Sequence, residues 1–158
     1  MKLSPQINES LNEQILQEYR NSLIYAQIQS YFESLQLKKI ASYFKKQSEH
    51  EAEHAQKFIQ HINDRTGGKV NIGEVGSPDI NITSVESVGE IYISTEEETS
   101  ISIESIYELA SDMKSFIDLH FLLDMLSEQV SEEDEANEFA MKLKNTKDLV
   151  LFDATLEV

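Results

Sequence analysis

Phe44-Lys45-Lys46-Gln47-Ser48-Glu49-His50-Glu51-Ala52-Glu53-His54-Ala55-Gln56-Lys57-Phe58 is the stretch that decides the fold. Extended to Ile40 and Ile62, the set Ile40, Phe44, Gln47, Glu51, His54, Phe58 and Ile62 recurs in steps of three and four. That is the period of one helix face. The stripe is apolar at both ends and ionisable in the middle. A Glu and a His at i and i+3 lie one above the other on a helix, so Glu51 and His54 offer an oxygen and a nitrogen to one point.

Two other segments repeat this design. Residues 7–36 carry Ile7, Leu11, Ile15, Glu18, Ser22, Tyr25, Gln29 and Phe32, with Asn8 or Ser10 as the expected N-cap. Residues 113–145 carry Phe121, Met125, Glu128 or Gln129, Glu132, Ala136, Phe139 and Leu143. Thr66-Gly67-Gly68 ends the helix predicted over 38–65. The turn-rich segment that follows holds Gly73, Gly76 and Pro78 and exceeds the usual bundle connection. It is long enough to run the length of a helix, so the next helix starts from the far end. Residues 84–110 are β-branched and would suit strands by local propensity. A lone hairpin would have little to pack against. The expected state is a helix with Val88, Tyr92, Thr95, Thr99, Ile103 and Ile106 on one face. Residues 148–156 form a short apolar tail. The fold class predicted is all-α, a four-helix bundle with one long crossover and a short fifth C-terminal helix, in a single domain over 1–158.

In a bundle the mid-stripe levels of different helices coincide, so Glu18, Glu51, His54, Glu128, Gln129 and Glu132 meet. Two carboxylates 4 Å apart repel by about 4 kcal/mol at an effective dielectric of 20. Desolvation adds several kcal/mol per buried ion. Whole domains have only about 5–15 kcal/mol of stability. Such a cluster needs protons, basic partners or a multivalent cation. No Lys or Arg lies on the stripes at that level, which favours the cation. A rival reading is the string His50-Glu51-Ala52-Glu53-His54, the H-E-x-x-H signature of zinc hydrolases. It lacks the metzincin continuation, because Lys57 and Gln60 stand where Gly and His would be needed. It also leaves Glu18, Glu128 and Glu132 unexplained.

The 158 residues hold 29 acids against 13 bases, a net charge of −16. That balance repels nucleic acid and anionic membranes and attracts cations. Cysteine is absent, which excludes disulfides, Cys-ligated zinc and iron–sulfur clusters. No apolar run spans a membrane or follows Lys2 as in a signal peptide. The expected location is the cytoplasm.

From about Asn8 to Leu156 the chain resembles the non-haem bacterial ferritins. The landmarks are Leu11-Asn12-Glu13-Gln14 with Glu18 and Tyr25, then Tyr31-Phe32-Glu33-Ser34-Leu35. Glu51-x-x-His54-Ala55 and Ile62-Asn63-Asp64-Arg65-Thr66-Gly67 follow, and Phe121-Leu122 leads to Ser127-Glu128-Gln129-Val130. The tail Leu149-Val150-Leu151-Phe152-Asp153 looks like the entry to the fifth helix. The resemblance implies a ferroxidase that oxidises Fe(II) with dioxygen or peroxide and stores Fe(III) in a homo-oligomeric, 24-subunit shell. It implies a first iron site at Glu18, Glu51 and His54, with Glu51 bridging to a second. Gln129 and Glu132 match the second-site region, Glu128 a nearby third site, and Tyr25 the tyrosine beside the di-iron centre. Three positions depart from the pattern. Thr99 stands where the third helix should supply a Glu, with Glu97 and Glu98 out of register; position 50 is His and position 131 is Ser. The expectation is a weakened second site, with a shell subunit of impaired activity as the alternative. No haem is expected, since Ala52 follows the bridging Glu where the haem-carrying cousins have Met.

Overall fold

The computed structural model describes residues 1–158 and holds five helices: α1 (Pro5–Ser34), α2 (Lys38–Asn63), α3 (Val85–Asp112), α4 (Phe116–Asn145) and α5 (Leu149–Thr155). Residues 85–110 are helical, as the packing argument required. Ser84 caps α3 in a capping box with Ser87. The start of α1 differs from expectation. Ser4 is its N-cap, accepting from the Ile7 amide, and Pro5 occupies the first turn, where its missing N–H costs nothing. Asn8 exchanges hydrogen bonds with the Lys69 backbone instead.

Tight turns join α1 to α2 and α3 to α4. The Leu37 amide donates to the Phe32 carbonyl and the Gln36 amide to Glu33. Ser115 and Lys114 repeat this pair of bonds on Ala110 and Ser111. Both are Schellman turns, and each places a non-glycine residue at positive φ, 60° at Gln36 and 54° at Lys114.

The long connection climbs along α1. The Leu3 amide donates to the Thr66 carbonyl, Asn12 accepts from the Asn71 amide, and Arg20 donates to the Ser77 carbonyl. Its far end packs Ile80 and Ile82 on the apolar layer beside the C-terminal half of α1. So α3 starts at the opposite end from where α2 stops and runs parallel to it.

The core is split in two. One apolar layer holds Ile28, Phe32, Phe44, Tyr92 and Phe139; the other holds Ile7, Leu11, Phe58, Ile103 and Leu122. Between them lies a buried polar layer: Glu18, Asn21, Glu51, His54, Glu96, Thr99, Gln129 and Glu132.

Candidate metal centre

Each long helix contributes to this polar layer from its midpoint. Glu18 comes from α1, Glu51 and His54 from α2, Glu96 from α3, and Gln129 and Glu132 from α4. The apolar residues on both sides hold these helices at fixed separation, so the polar side chains have nowhere to go but toward one another.

Two adjoining clusters result. Glu18, Glu51 and His54 offer ligand atoms all within 4.8 Å of one another, and so do Glu51, Glu96 and Glu132. His54 Nδ1 lies 3.8 Å from both Glu18 Oε2 and Glu51 Oε1. Glu51 belongs to both clusters. A hard cation of variable coordination takes carboxylate oxygens and an imidazole readily.

The hydrogen bonds show what the layer lacks. Glu18 Oε2, Glu51 Oε1, both ring nitrogens of His54 and both oxygens of Glu132 have no hydrogen-bond partner. Buried polar atoms without partners are rare in native proteins. His54 Nε2 approaches Glu128 Oε2 at 3.0 Å and Glu132 Oε1 at 3.2 Å but is out of line with both for a hydrogen bond. Glu18 Oε2, Glu51 Oε1 and His54 Nδ1 face one another on one side of the imidazole, and the Glu132 carboxylate lies on its Nε2 side; a divalent cation would satisfy such atoms. The residues present therefore fit a pair of cations.

The electrostatics agree. Burial raises the Glu18 carboxyl to about 7 and that of Glu132 to about 9. Burial, then the Glu18 charge, pushes Glu51 well above the usual range. Burial raises Glu96 as well. Burial lowers the His54 imidazole to about 4, so it is neutral near pH 7 and free to ligate. Without a cation the layer holds protons; a dication displaces them.

Glu96 was missed by the sequence reading, and it corrects the expectation about Thr99. Glu96 is almost fully buried and supplies the third-helix carboxylate, while Glu97 and Glu98 are exposed. Its Oε1 accepts from the Tyr25 hydroxyl and its Oε2 from Gln129 Nε2 at 3.3 Å. Thr99 is buried one turn farther along and donates to the Thr95 carbonyl. The signal was present: Tyr92, Glu96, Thr99, Ile103, Ile106 and Ala110 follow alternating steps of four and three. Tyr25 touches the centre through Glu96.

Glu128 is the outlier among the expected residues. It is half-exposed, and Lys57 Nζ holds its carboxylate at 2.6 and 2.9 Å. Lys57 thus reaches the layer from beside the α2 stripe, where no base was expected. His50, also half-exposed, sits 3.2 Å from Glu132 Oε1. His50, His54 and Glu132 form a third possible ligand group on this solvent-facing rim.

A four-helix bundle with one long crossover and a carboxylate–histidine layer at mid-height defines the class of the ferritin-like proteins. Residues 8–146 match the family model described as the ferritin-like domain, and the chain belongs to that family. It is 30% identical over 131 residues to the bacterial non-heme ferritin of Staphylococcus aureus, covering 83% of this chain and 78% of that one. Among solved structures it is similar to the open-pore ferritin of the archaeon Archaeoglobus fulgidus, with a TM-score of 0.92, 29% identity, and 97% and 96% of the two chains covered. It is also similar to an iron-soaked variant of PmFTN, with a TM-score of 0.90, 25% identity, and 98% and 100% covered.

Proposed function

We propose that this protein takes up Fe(II), oxidises it with dioxygen or peroxide at the intra-bundle centre, and stores Fe(III) as mineral inside a hollow homo-oligomeric shell of 24 subunits in the cytoplasm. The observation that carries this reading is the set of six partnerless buried atoms on Glu18, Glu51, His54 and Glu132. Ferritin relatives, one of them named for an iron-soaked crystal, support the choice of iron.

Iron is the substrate, and its own electrons reduce the oxidant. The chain supplies geometry. Glu18 and His54 bind one ion, Glu51 bridges, and Glu96 with Glu132 bind the other. Tyr25 and Gln129 orient Glu96 by donating to its two oxygens. Fe(III) is smaller and harder than Fe(II), and four carboxylates around two ions favour the oxidised product. The half-exposed rim of His50, Glu128 and Lys57 is the side open to solvent, and ions pass there between centre and cavity.

An impaired centre was suggested by Thr99 alone; with Glu96 in place that ground is gone. The His50, His54 and Glu132 group gives the zinc reading the third ligand it lacked. Hydrolysis needs the string's Glu as a base beside a zinc-bound water. Glu51 is instead buried on the opposite side of His54, with one oxygen held by Asn21. Aerobic addition of Fe(II) to the purified protein tests the choice. An amber, iron-loaded particle is expected. Colourless protein with stoichiometric zinc would overturn the proposal.

A further inference from the structure

Gln14 and Asn21 are buried amides on α1, one helical step of seven apart, flanking Glu18 above and below. Each holds one oxygen of one carboxylate in the centre. Gln14 Nε2 donates to Glu18 Oε1 at 2.8 Å. Asn21 Nδ2 donates to Glu51 Oε2 at 3.1 Å. The oxygens left over, Glu18 Oε2 and Glu51 Oε1, are the partnerless ones that face His54 Nδ1.

The direction of each amide is itself fixed. Thr99 has a single hydroxyl hydrogen, and it goes to the Thr95 carbonyl at 2.9 Å. Its oxygen can then only accept, and it accepts from Asn21 Nδ2 at 2.8 Å. Asn21 must therefore present its NH₂ to Thr99 and Glu51 together, with one hydrogen for each. On the other arm, Ser102 Oγ donates to Gln14 Oε1 at 2.5 Å. That leaves the Gln14 NH₂ pointing at Glu18. Both amides are locked from α3, by Thr99 and by Ser102.

We infer that Gln14 and Asn21 are positioning residues that choose which oxygen of Glu18 and of Glu51 meets the first-site cation, and that Thr99 and Ser102 set their orientation. The inference rests on the site assignment proposed above. In it Thr99 is no degenerate ligand. It is the anchor that keeps the bridging carboxylate turned toward His54. A carboxylate free to rotate would spend part of its time with the wrong oxygen forward, and binding would carry the cost of ordering it. Partners of metal ligands typically matter by 10–100-fold in affinity.

Cobalt(II) under anaerobic conditions is the probe, because its visible d–d bands report the coordination it finds. Thr99→Val keeps the shape of the side chain and removes the acceptor, while Thr99→Ser retains it. The expected result is roughly tenfold weaker first-site cobalt binding with altered bands in Thr99→Val, and affinity within about twofold of the unmodified protein in Thr99→Ser. Asn21→Leu, of similar size but without donors, should match Thr99→Val, and it serves if the valine variant fails to fold. Unmodified midpoints and bands in Thr99→Val and Asn21→Leu would overturn the inference. So would equal losses in Thr99→Val and Thr99→Ser, since these would report packing alone. Glu18→Ala and Glu51→Ala separate the two levels. If they lose cobalt while the amide variants do not, only the positioning role fails. If they too bind as the unmodified protein does, the site assignment fails and takes this inference with it.

Discussion

Glu51 has one carboxylate oxygen with a partner and one without, and that asymmetry makes it the most informative residue in the chain. Glu51→Ala or His54→Ala should reduce the initial rate of Fe(II) oxidation to background in a stopped-flow assay while the helical circular dichroism is unchanged. Undiminished rates in both would refute the site. At pH 9, where Glu18 and Glu132 are giving up their protons, removing a buried acid relieves like-charge repulsion, so there the metal-free Glu51→Ala protein should melt no lower than the unmodified one. Thr99→Glu should do the reverse of a repair. It adds a carboxylate to a layer that already buries Glu18, Glu51, Glu96 and Glu132, and it takes away the acceptor of Asn21. A lower melting temperature and weaker cobalt binding are expected; a tighter second site would show that Thr99 faces the ions. The raised carboxyls also set a pH dependence. Glu18 and Glu132 bind protons more tightly folded than unfolded, with folded values of about 7 and about 9. Their contribution is full below the unfolded value of 4.5 and is lost as pH rises through 7 and 9. His54 acts oppositely, but only below 6.5, since its folded value is about 4. The metal-free protein should therefore melt several degrees lower at pH 9 than at pH 6.5, and a saturating dication should erase the difference. A flat profile without metal would contradict these environments.

At the scale of elements, the two Schellman turns carry a correctable strain. Gln36 and Lys114 hold φ values that favour glycine. Gln36→Gly and Lys114→Gly should each stabilise the fold by about 0.5–1 kcal/mol, read as a rise in the thermal midpoint; a fall in both would show that the side chains make compensating contacts. The third helix shows tertiary context overriding local preference. Its β-branched residues Ile91, Ile93, Ile101 and Ile103 would suit a strand. The capping box at Ser84 starts a helix, and the stripe from Tyr92 to Ala110 gives that helix a buried face. Its axial level is set by packing. A Cβ at Gly89 would lie 2.9 Å from the Ala140 Cβ, so α3 and α4 come close there. Tyr92 is locked edge-on against Tyr25 and Phe44. Those contacts bring Glu96 to the height of Glu51 and put Thr99 beside Asn21.

At the scale of the molecule, a lone subunit exposes apolar side chains at both ends of α4. Val150 and Leu151 on α5 are exposed, and so are Phe116 and Ile117 at the start of α4. Such patches are covered in symmetric assemblies. Light scattering should report a particle on the order of 430 kDa for 24 chains of 18.1 kDa. A stable monomer or dimer at micromolar concentration in neutral buffer would refute the shell. α5 is held to the bundle by the Ile40 amide donating to Asp153 Oδ1 and by Lys39 Nζ donating to the Ala154 carbonyl. Deleting residues 149–158 should shift the particle toward smaller species without abolishing the fold of the other helices.

The sequence by itself determined the all-α class, the long crossover, and the gathering of Glu18, Glu51, His54 and Glu132, while it left Glu128 and Gln129 undivided. The reason is periodicity: a polar residue interrupting an apolar stripe reports its depth and its face without any coordinates. Only the tertiary structure decided between Glu96 and Thr99. Both lie on one helix face about a turn apart, and periodicity fixes rotation about an axis but not translation along it. That translation is set by the contact of Gly89 with Ala140 and by the aromatic packing of Tyr92. Lys57 on Glu128, Asn21 on Glu51 and Ser102 on Gln14 were equally hidden. Their partners lie on other helices, and a hydrogen bond between helices belongs to the packing and not to the pattern of either strand of sequence.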